Sequence, residues 1–202
     1  MRKLLRITGT PKPLLQERTQ QFFYTLVAMF GFFKSSGNKV KVVDKVWMTS
    51  AARLQACRAM HAANPQCLFL VWFEDSVNAL KQVVPEDAVM LTRDVELQQT
   101  QNRMVVFAEH YPLRKTEDAL YKRLNLTEVN VLSALDESLF SFFGGERIQE
   151  MMRRMGMDEH EIVGHSMITS SIKRAQQKLE QRVVSEQPAT SQQKWFELNF
   201  PA

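Results

Sequence analysis

Few residues in this chain combine the type and the spacing that chemistry requires. His160 and His165 bracket His160-Glu161-Ile162-Val163-Gly164-His165. A helical zinc site needs its histidines four apart on one face; here they are five apart with a glycine between, so they diverge and no metal site is expected. Phosphoryl transfer needs a GxxxxGK[ST] loop and an acidic pair for magnesium. The 7 glycines include no such run, so the chain has no phosphate cradle of its own. Glu109-His110-Tyr111 is a further run of reactive types, and an enzyme built on it needs a pocket converging there. Cys57 stands in no nucleophile constellation and reads as a core residue. Arg123, taken alone, reads as a surface or ion-paired arginine. Methionines 151, 152, 155, 157 and 167 read as a core stripe, with an adaptable peptide-binding surface as the alternative. Lys173, Arg174, Lys178 and Arg182 share a helix face that is solvated by default, and Asn125-Leu126-Thr127 is a glycosylation signal only in a secreted protein.

The elements that would position these residues follow from punctuation and periodicity. A helix is expected from Pro13 through the apolar run 22–33, closed by the turn signal Ser35-Ser36-Gly37-Asn38. That run is too short to span a membrane and reads as a buried helix rather than a membrane-surface contact. Residues 40–48 read as a strand, and Thr49 or Ser50 caps a helix that Asn64-Pro65 ends. The unbroken apolar run 67–73 has the length and character of a central parallel strand covered on both faces. Glu74-Asp75-Ser76 opens the next helix, and short strands follow at 89–91, 103–108 and 127–132. Strands alternating with helices give the α/β class with a mostly parallel sheet. From residue 133 on, Leu135, Leu139, Phe142 and Phe143 predict a helix broken by Gly144-Gly145. A second helix carries Ile148, Met151, Met152 and Met155 to Gly156. A third runs over 166–182 with Ile168, Ile172, Ala175 and Leu179 inward.

Composition sets the outer limits. The 202 residues make one ordinary domain with a short appendage, 45% hydrophobic and 24% charged, as in a soluble globular protein. A net charge of +4 is a mild excess. No basic stripe with interleaved aromatics argues for nucleic acid. Cys57 and Cys67 form no CxxC and suit buried thiols in a reducing compartment. Arg6, Lys12 and the prolines interrupt any signal-peptide core, so no export signal is expected and the location reads as cytoplasmic.

Three blocks in the last third carry a family resemblance: LDESLFSFFGGERI from Leu135, MRRMGM from Met152 and HSMITSSIKRAQQKLE from His165. They stand in the order and at the spacing of LEDNLMRLFGSERI, MRMGL and HSMIxxSIxRAQxKVE. In the SecA preprotein translocases those blocks join the second motor domain to the helical scaffold. Upstream, Glu109, Arg114, Leu120 and Arg123 match the family's ERHESRRIDNQLRGR, and Thr8-Gly9-Thr10 is similar to the TGT between its two motor domains. The chain thus resembles the SecA second motor domain. The resemblance implies a reduced RecA-like, helicase C-terminal type of fold over 1–132, a helical exit segment over 133–183, and a polar linker and apolar tail over 184–202.

What the resemblance implies for activity is mostly loss. The parts holding the phosphate loop belong to a first motor domain outside this match. The family's GRGTD motif has no counterpart between Leu91 and Arg103. In QLRGRSGRQG two arginines face the phosphates; here Arg123 keeps the first place, Leu126 takes the second and Ala119 replaces the glutamine. A leucine cannot stabilise charge on a transferring phosphoryl group, and losing such an arginine costs about three to five orders of magnitude. Arg123 and Glu109 remain as candidate nucleotide contacts, for ATP or ADP bound together with a partner motor domain. The expected role is preprotein translocation without autonomous hydrolysis; the alternative is a nucleotide-independent interaction or regulatory module. Either way the expected partner is a protein, a SecA-type motor domain or the translocation machinery, and any membrane contact is peripheral. Lys173, Arg174, Lys178 and Arg182, with Trp195 and Phe196 of the tail, are the candidate partner contacts.

Overall fold

The computed structural model describes residues 40–164 and 166–200. The expected Thr8-Gly9-Thr10 turn, the helix from Pro13, the apolar run 22–33 and the 35–38 turn lie outside the described residues. Within them the elements are β1 (Lys41–Trp47), α1 (Ser50–Ala63), β2 (Cys67–Val71), α2 (Glu74–Lys81), a 3-10 turn (Glu86–Ala88), β3 (Val89–Leu91), α3 (Leu97–Thr100), β4 (Met104–Phe107), α4 (Arg114–Arg123) and β5 (Glu128–Ala134). Four helices follow: α5 (Ser138–Ser141), α6 (Gly145–Arg154), α7 (Ser166–Arg182) and α8 (Gln192–Asn199).

The strands form one sheet in the order β1-β5-β4-β2-β3, and every neighbouring pair is parallel. With its C-terminal helices this is the α/β, reduced RecA-like architecture. Each residue of β2 is buried, as an unbroken apolar strand between two neighbours requires. Asp44, Val131, Phe107 and Leu70 lie in one cross-strand row. Leu70, Phe107 and Val131 of this row pack with Leu120, Tyr121 and Leu124. A second cluster joins Val46, Met48 and Phe73, at the carboxyl ends of strands, to Leu139, Met152, Ile172, Leu179 and Trp195 of the last four helices and their flanks. The edge of β1 is not left bare: Val46 and Val163 exchange backbone hydrogen bonds as an antiparallel bridge, which covers a strand edge that would otherwise invite pairing.

Local chemistry explains the boundaries. Thr49 caps α1, its hydroxyl accepting from the Ala52 amide, and the helix ends at Asn64 ahead of Pro65. The acids of α2 do not cap it; the cap position is Phe73, and the carboxylate of Glu109 takes the neighbouring amides instead. At the far end of α4, Asn125 adopts φ 51°. The Leu126 amide donates to the Tyr121 carbonyl and the Asn125 amide to that of Lys122, a Schellman motif.

Three expectations are corrected here. The helix expected from Leu135 is a single turn, because the Leu135 amide donates to the Trp47 carbonyl and extends the β1–β5 ladder. The methionine stripe is not a core stripe: Met152 is buried, whereas Met151, Met155 and Met167 are 53%, 62% and 70% exposed. Within the segment expected as a polar linker and apolar tail, Gln192–Asn199 form a helix, α8, and Trp195 is completely buried. Gly144, at φ 91°, breaks the chain between α5 and α6 as its type predicts.

Candidate functional site

Open parallel α/β sheets bind ligands at the carboxyl ends of their strands. Here those ends release Met48 from β1, Trp72 and Phe73 from β2, Glu109, His110 and Tyr111 after β4, and Asp136 and Glu137 after β5. Two buried polar networks are built from these segments.

The first centres on His110, which is fully buried. Its Nδ1 lies 2.8 Å from Glu117 Oε1 on α4, and its Nε2 lies 3.0 Å from Asp44 Oδ1 on β1. Glu117 also accepts from the Tyr111 amide at 2.9 Å and from Gln176 Nε2 at 3.0 Å, which ties α7 to the network. Thr169 of α7 stands beside Asp44. Burial opposes a charged ring, but Glu117 and Asp44 outweigh it and lift the His110 pKa to about 10. Burial likewise opposes ionised Asp44, and the hydrogen bond and charge of His110 outweigh it, holding that carboxyl below its usual range. The ring is therefore an imidazolium locked between two carboxylates, with both nitrogens engaged. It fixes β1, α4 and α7 to one another and has no proton to spare for general acid–base work.

The second network surrounds Arg53 of α1. Its Nε stands 3.3 Å from Glu137 Oε1 without the alignment of a hydrogen bond. Glu109 Oε1 accepts from the Trp72 and Phe73 amides at 2.7 and 3.0 Å, and Oε2 from the Ser76 hydroxyl at 2.5 Å. Burial raises the Glu109 pKa, with Arg53 and these donors offsetting part of it. Burial pushes Glu137 up to about 7, Arg53 again offsetting in part. Asp136 stays outside the pair and binds the Ser50 amide at 2.9 Å, closing the first turn of α1.

Over both networks lies the C-terminal segment. Gln192 Nε2 donates to the His110 carbonyl at 3.0 Å, and its Oε1 accepts from the Leu139 amide at 2.8 Å. The Thr190 carbonyl accepts from the Asp75 amide at 3.0 Å, in the first turn of α2. Trp195 donates its indole N–H to Glu186 at 2.6 Å, and its ring centroid lies 6.2 Å from that of Tyr111, whose hydroxyl reaches the same carboxylate. Gln149 of α6 donates to the Met48 carbonyl. The strand ends are thus capped by the chain itself.

The residues singled out from sequence are not gathered at one point. Glu109 is in the second network. Arg123 is exposed on the last turn of α4, its Nη2 donating to the Thr92 carbonyl at 2.9 Å. Leu126, in the place of the second arginine, packs against the Leu120–Tyr121 cluster as part of the Schellman turn. Cys57 is buried, and burial pushes its thiol up to about 12, which suits a core residue. Lys173, Arg174, Lys178 and Arg182 are exposed, and the Arg182 guanidinium sits 5.3 Å from the Phe200 ring centroid. Trp195 is inside its own chain, while Phe196 is half-buried between Phe142 and Trp195. Sequence reasoning missed Asp44, Arg53, Glu117, Glu137, Gln176 and Gln192. The run Glu109-His110-Tyr111 was the visible signal, and nothing local announced its distant partners. Among the described residues no group of three His, Cys, Asp or Glu is arranged to hold a metal, and no helix is long and apolar enough to cross a membrane.

Comparison with known proteins fits this picture of a retained frame. Over 48 residues the chain is 50% identical to the protein translocase subunit SecA of Christiangramia forsetii, a match covering 24% of this chain and 4% of that protein. Part of this chain is homologous to SecA. The SecA subunit of Brachyspira hyodysenteriae is 37% identical over 82 residues, 39% of this chain and 8% of the relative. That of Sulfurovum sp. is 30% identical over 91 residues, 43% and 10%. The chain therefore spans at most a tenth of these relatives' length. No family model matches it. The likeness is distant and partial.

Proposed function

We propose that this chain is a non-hydrolysing relative of the SecA second motor domain and its junction with the helical scaffold, working on the cytoplasmic side in preprotein translocation through protein contacts. The observation that carries the reading is the capped carboxyl edge. Gln192 bridges the loop after β4 to the start of α5, and Trp195 fills the space beside Tyr111. The nucleotide-facing candidates serve structure: Glu109 holds the β2–α2 junction and Arg123 holds the loop after β3. Leu126 in place of an arginine removes the charge a phosphoryl transfer needs.

Two forms of this reading differ in their use of nucleotide. In one, ATP or ADP is bound at a joint site with a separate motor domain, through Arg123. In the other, the fold is kept as an interaction module indifferent to nucleotide. The capped edge favours the second. Titration calorimetry with magnesium ATP and ADP, an ATPase assay, and capture of a SecA-type motor chain with and without nucleotide separate them. The expected result is no turnover above blank, no binding heat, and capture unchanged by nucleotide. Turnover at ordinary enzyme rates, about 1 per second or more, overturns both forms.

A further inference from the structure

Along α7, Arg174, Lys178 and Arg182 stand four residues apart, a spacing that sets side chains in one row on a helix. All three are exposed. Glu180, the one acid of this helix, turns its Oε1 to the Lys115 amide and leaves the row uncompensated from within. Beside the row, where the turn after α5 meets α7, lies an open groove of about 330 Å³ lined by Phe142, Phe143, Ser171, Arg174, Ala175 and Lys178. Among the described residues no carboxylate lines it.

The groove has two kinds of wall. Phe142 and Phe143 are half-buried and give an apolar floor. That floor is braced from behind, with the Phe142 centroid 6.1 Å from Phe196 and 5.1 Å from Phe200. Arg174 and Lys178 form a cationic rim. A further depression at Met167, Ser170 and Ser171 continues it along the same helix. The groove thus sets an aromatic floor beside a cationic rim, where a ligand carrying both apolar and acidic groups meets both.

The geometry points to a docking groove for an acidic amphipathic helix of a protein partner, apolar residues on Phe142 and Phe143 and carboxylates on Arg174 and Lys178. Helix-in-groove recognition uses this pairing of apolar anchors with flanking charge, and an arginine gives a carboxylate two parallel hydrogen bonds. A bilayer is flat; it meets the cations and cannot reach a concave floor. This names the chemistry of the partner and rests on reading the chain as a protein-binding module.

The test uses the full chain and fluorescence anisotropy. The probes are a labelled helical peptide with Leu and Phe on one face and Glu beside them, and its counterpart with Lys for every Glu. The variant Arg174→Glu with Lys178→Glu changes exposed residues, and Arg58→Glu with Lys122→Glu is the equally charged control. The acidic peptide is expected to bind, to weaken with salt, and to lose about tenfold or more in affinity with the first variant and little with the control. Equal binding of both peptides, equal loss in both variants, no peptide binding, or binding confined to phosphatidylglycerol vesicles overturns the groove. Capture of a SecA-type motor chain by the same variants keeps the two claims apart. Capture persisting without peptide preference sinks the groove alone, and peptide preference without any capture sinks the translocation reading alone.

Discussion

Glu117 Oε1 lies 2.8 Å from His110 Nδ1, with both residues fully buried and the other ring nitrogen 3.0 Å from Asp44. One positive charge thus joins two carboxylates from different elements. An isolated pair at that depth would be expensive to desolvate, and its cost is offset by amide and Gln176 donors to Glu117.

That arrangement predicts how stability varies with pH. The unfolded ring loses its proton near 6.5, whereas the folded ring keeps it to about 10. Between those values the folded state holds one proton more, so stability falls as pH rises, by about 1.4 kcal/mol per pH unit from this group. Urea unfolding across that window should show the decline, and His110→Gln should flatten it while lowering stability at neutral pH.

Glu137 contributes the same sign in a lower window. Its folded pKa, about 7, lies above its ordinary 4.5, so its term is fully present below 4.5 and is lost as pH rises through 7. Glu137→Gln is expected to remove that part of the slope. Arg53→Met should leave Glu137 and Glu109 without a counter-charge, at a cost of about 3–5 kcal/mol near neutral pH and less in acid. Adding Glu137→Gln to Arg53→Met should recover part of the loss in urea titrations.

The C-terminal segment should behave as core. Trp195→Ala is expected to cost about 3–5 kcal/mol, as for other large-to-small changes at fully buried aromatics. A chain ending at Val183 should expose the Phe73, Leu139 and Leu179 cluster and bind a hydrophobic dye at neutral pH. A truncation with full stability and no dye binding would show the segment to be dispensable.

Adjacent glycines should respond unequally. A Cβ on Gly145 would stand 2.3 Å from the Leu135 carbonyl oxygen and 2.9 Å from Phe140 Cβ, so Gly145→Ala must displace backbone and should cost about 3 kcal/mol. Gly144 has open space around it but a φ of +91°, so Gly144→Ala should cost about 1 kcal/mol, from the left-handed conformation alone. Denaturant midpoints of the two variants test the order.

Much of the frame could be read without coordinates. The apolar run at 67–73 specified a covered strand, because a parallel strand buried on both faces tolerates no alternation. Thr49, Asn64-Pro65 and Gly144 marked boundaries through local sterics and hydrogen bonding. Ile172, Ala175 and Leu179 announced the inner face of α7, and the basic face opposite proved exposed. Where the reading erred, a distant partner decided. The Leu135 helix shrank because its amide had a carbonyl waiting on β1, and Met151 and Met155 stayed outside because α6 presents Met152 to the core.

By itself, then, the sequence determined the parallel α/β frame, the likeness to SecA and the absence of a phosphate loop, all consequences of short-range pattern. Only the tertiary structure decided what the strand ends are used for. Asp44, His110 and Glu117, like Arg53, Glu109 and Glu137, come from segments far apart in the chain, and burial gives their charges meaning only once those segments meet. Trp195 read as part of an apolar tail because no local signal tells an aromatic that reaches solvent from one that closes a core. The segment bearing it folds back over the carboxyl edge, where Gln192 satisfies the His110 carbonyl that would otherwise be buried without a partner.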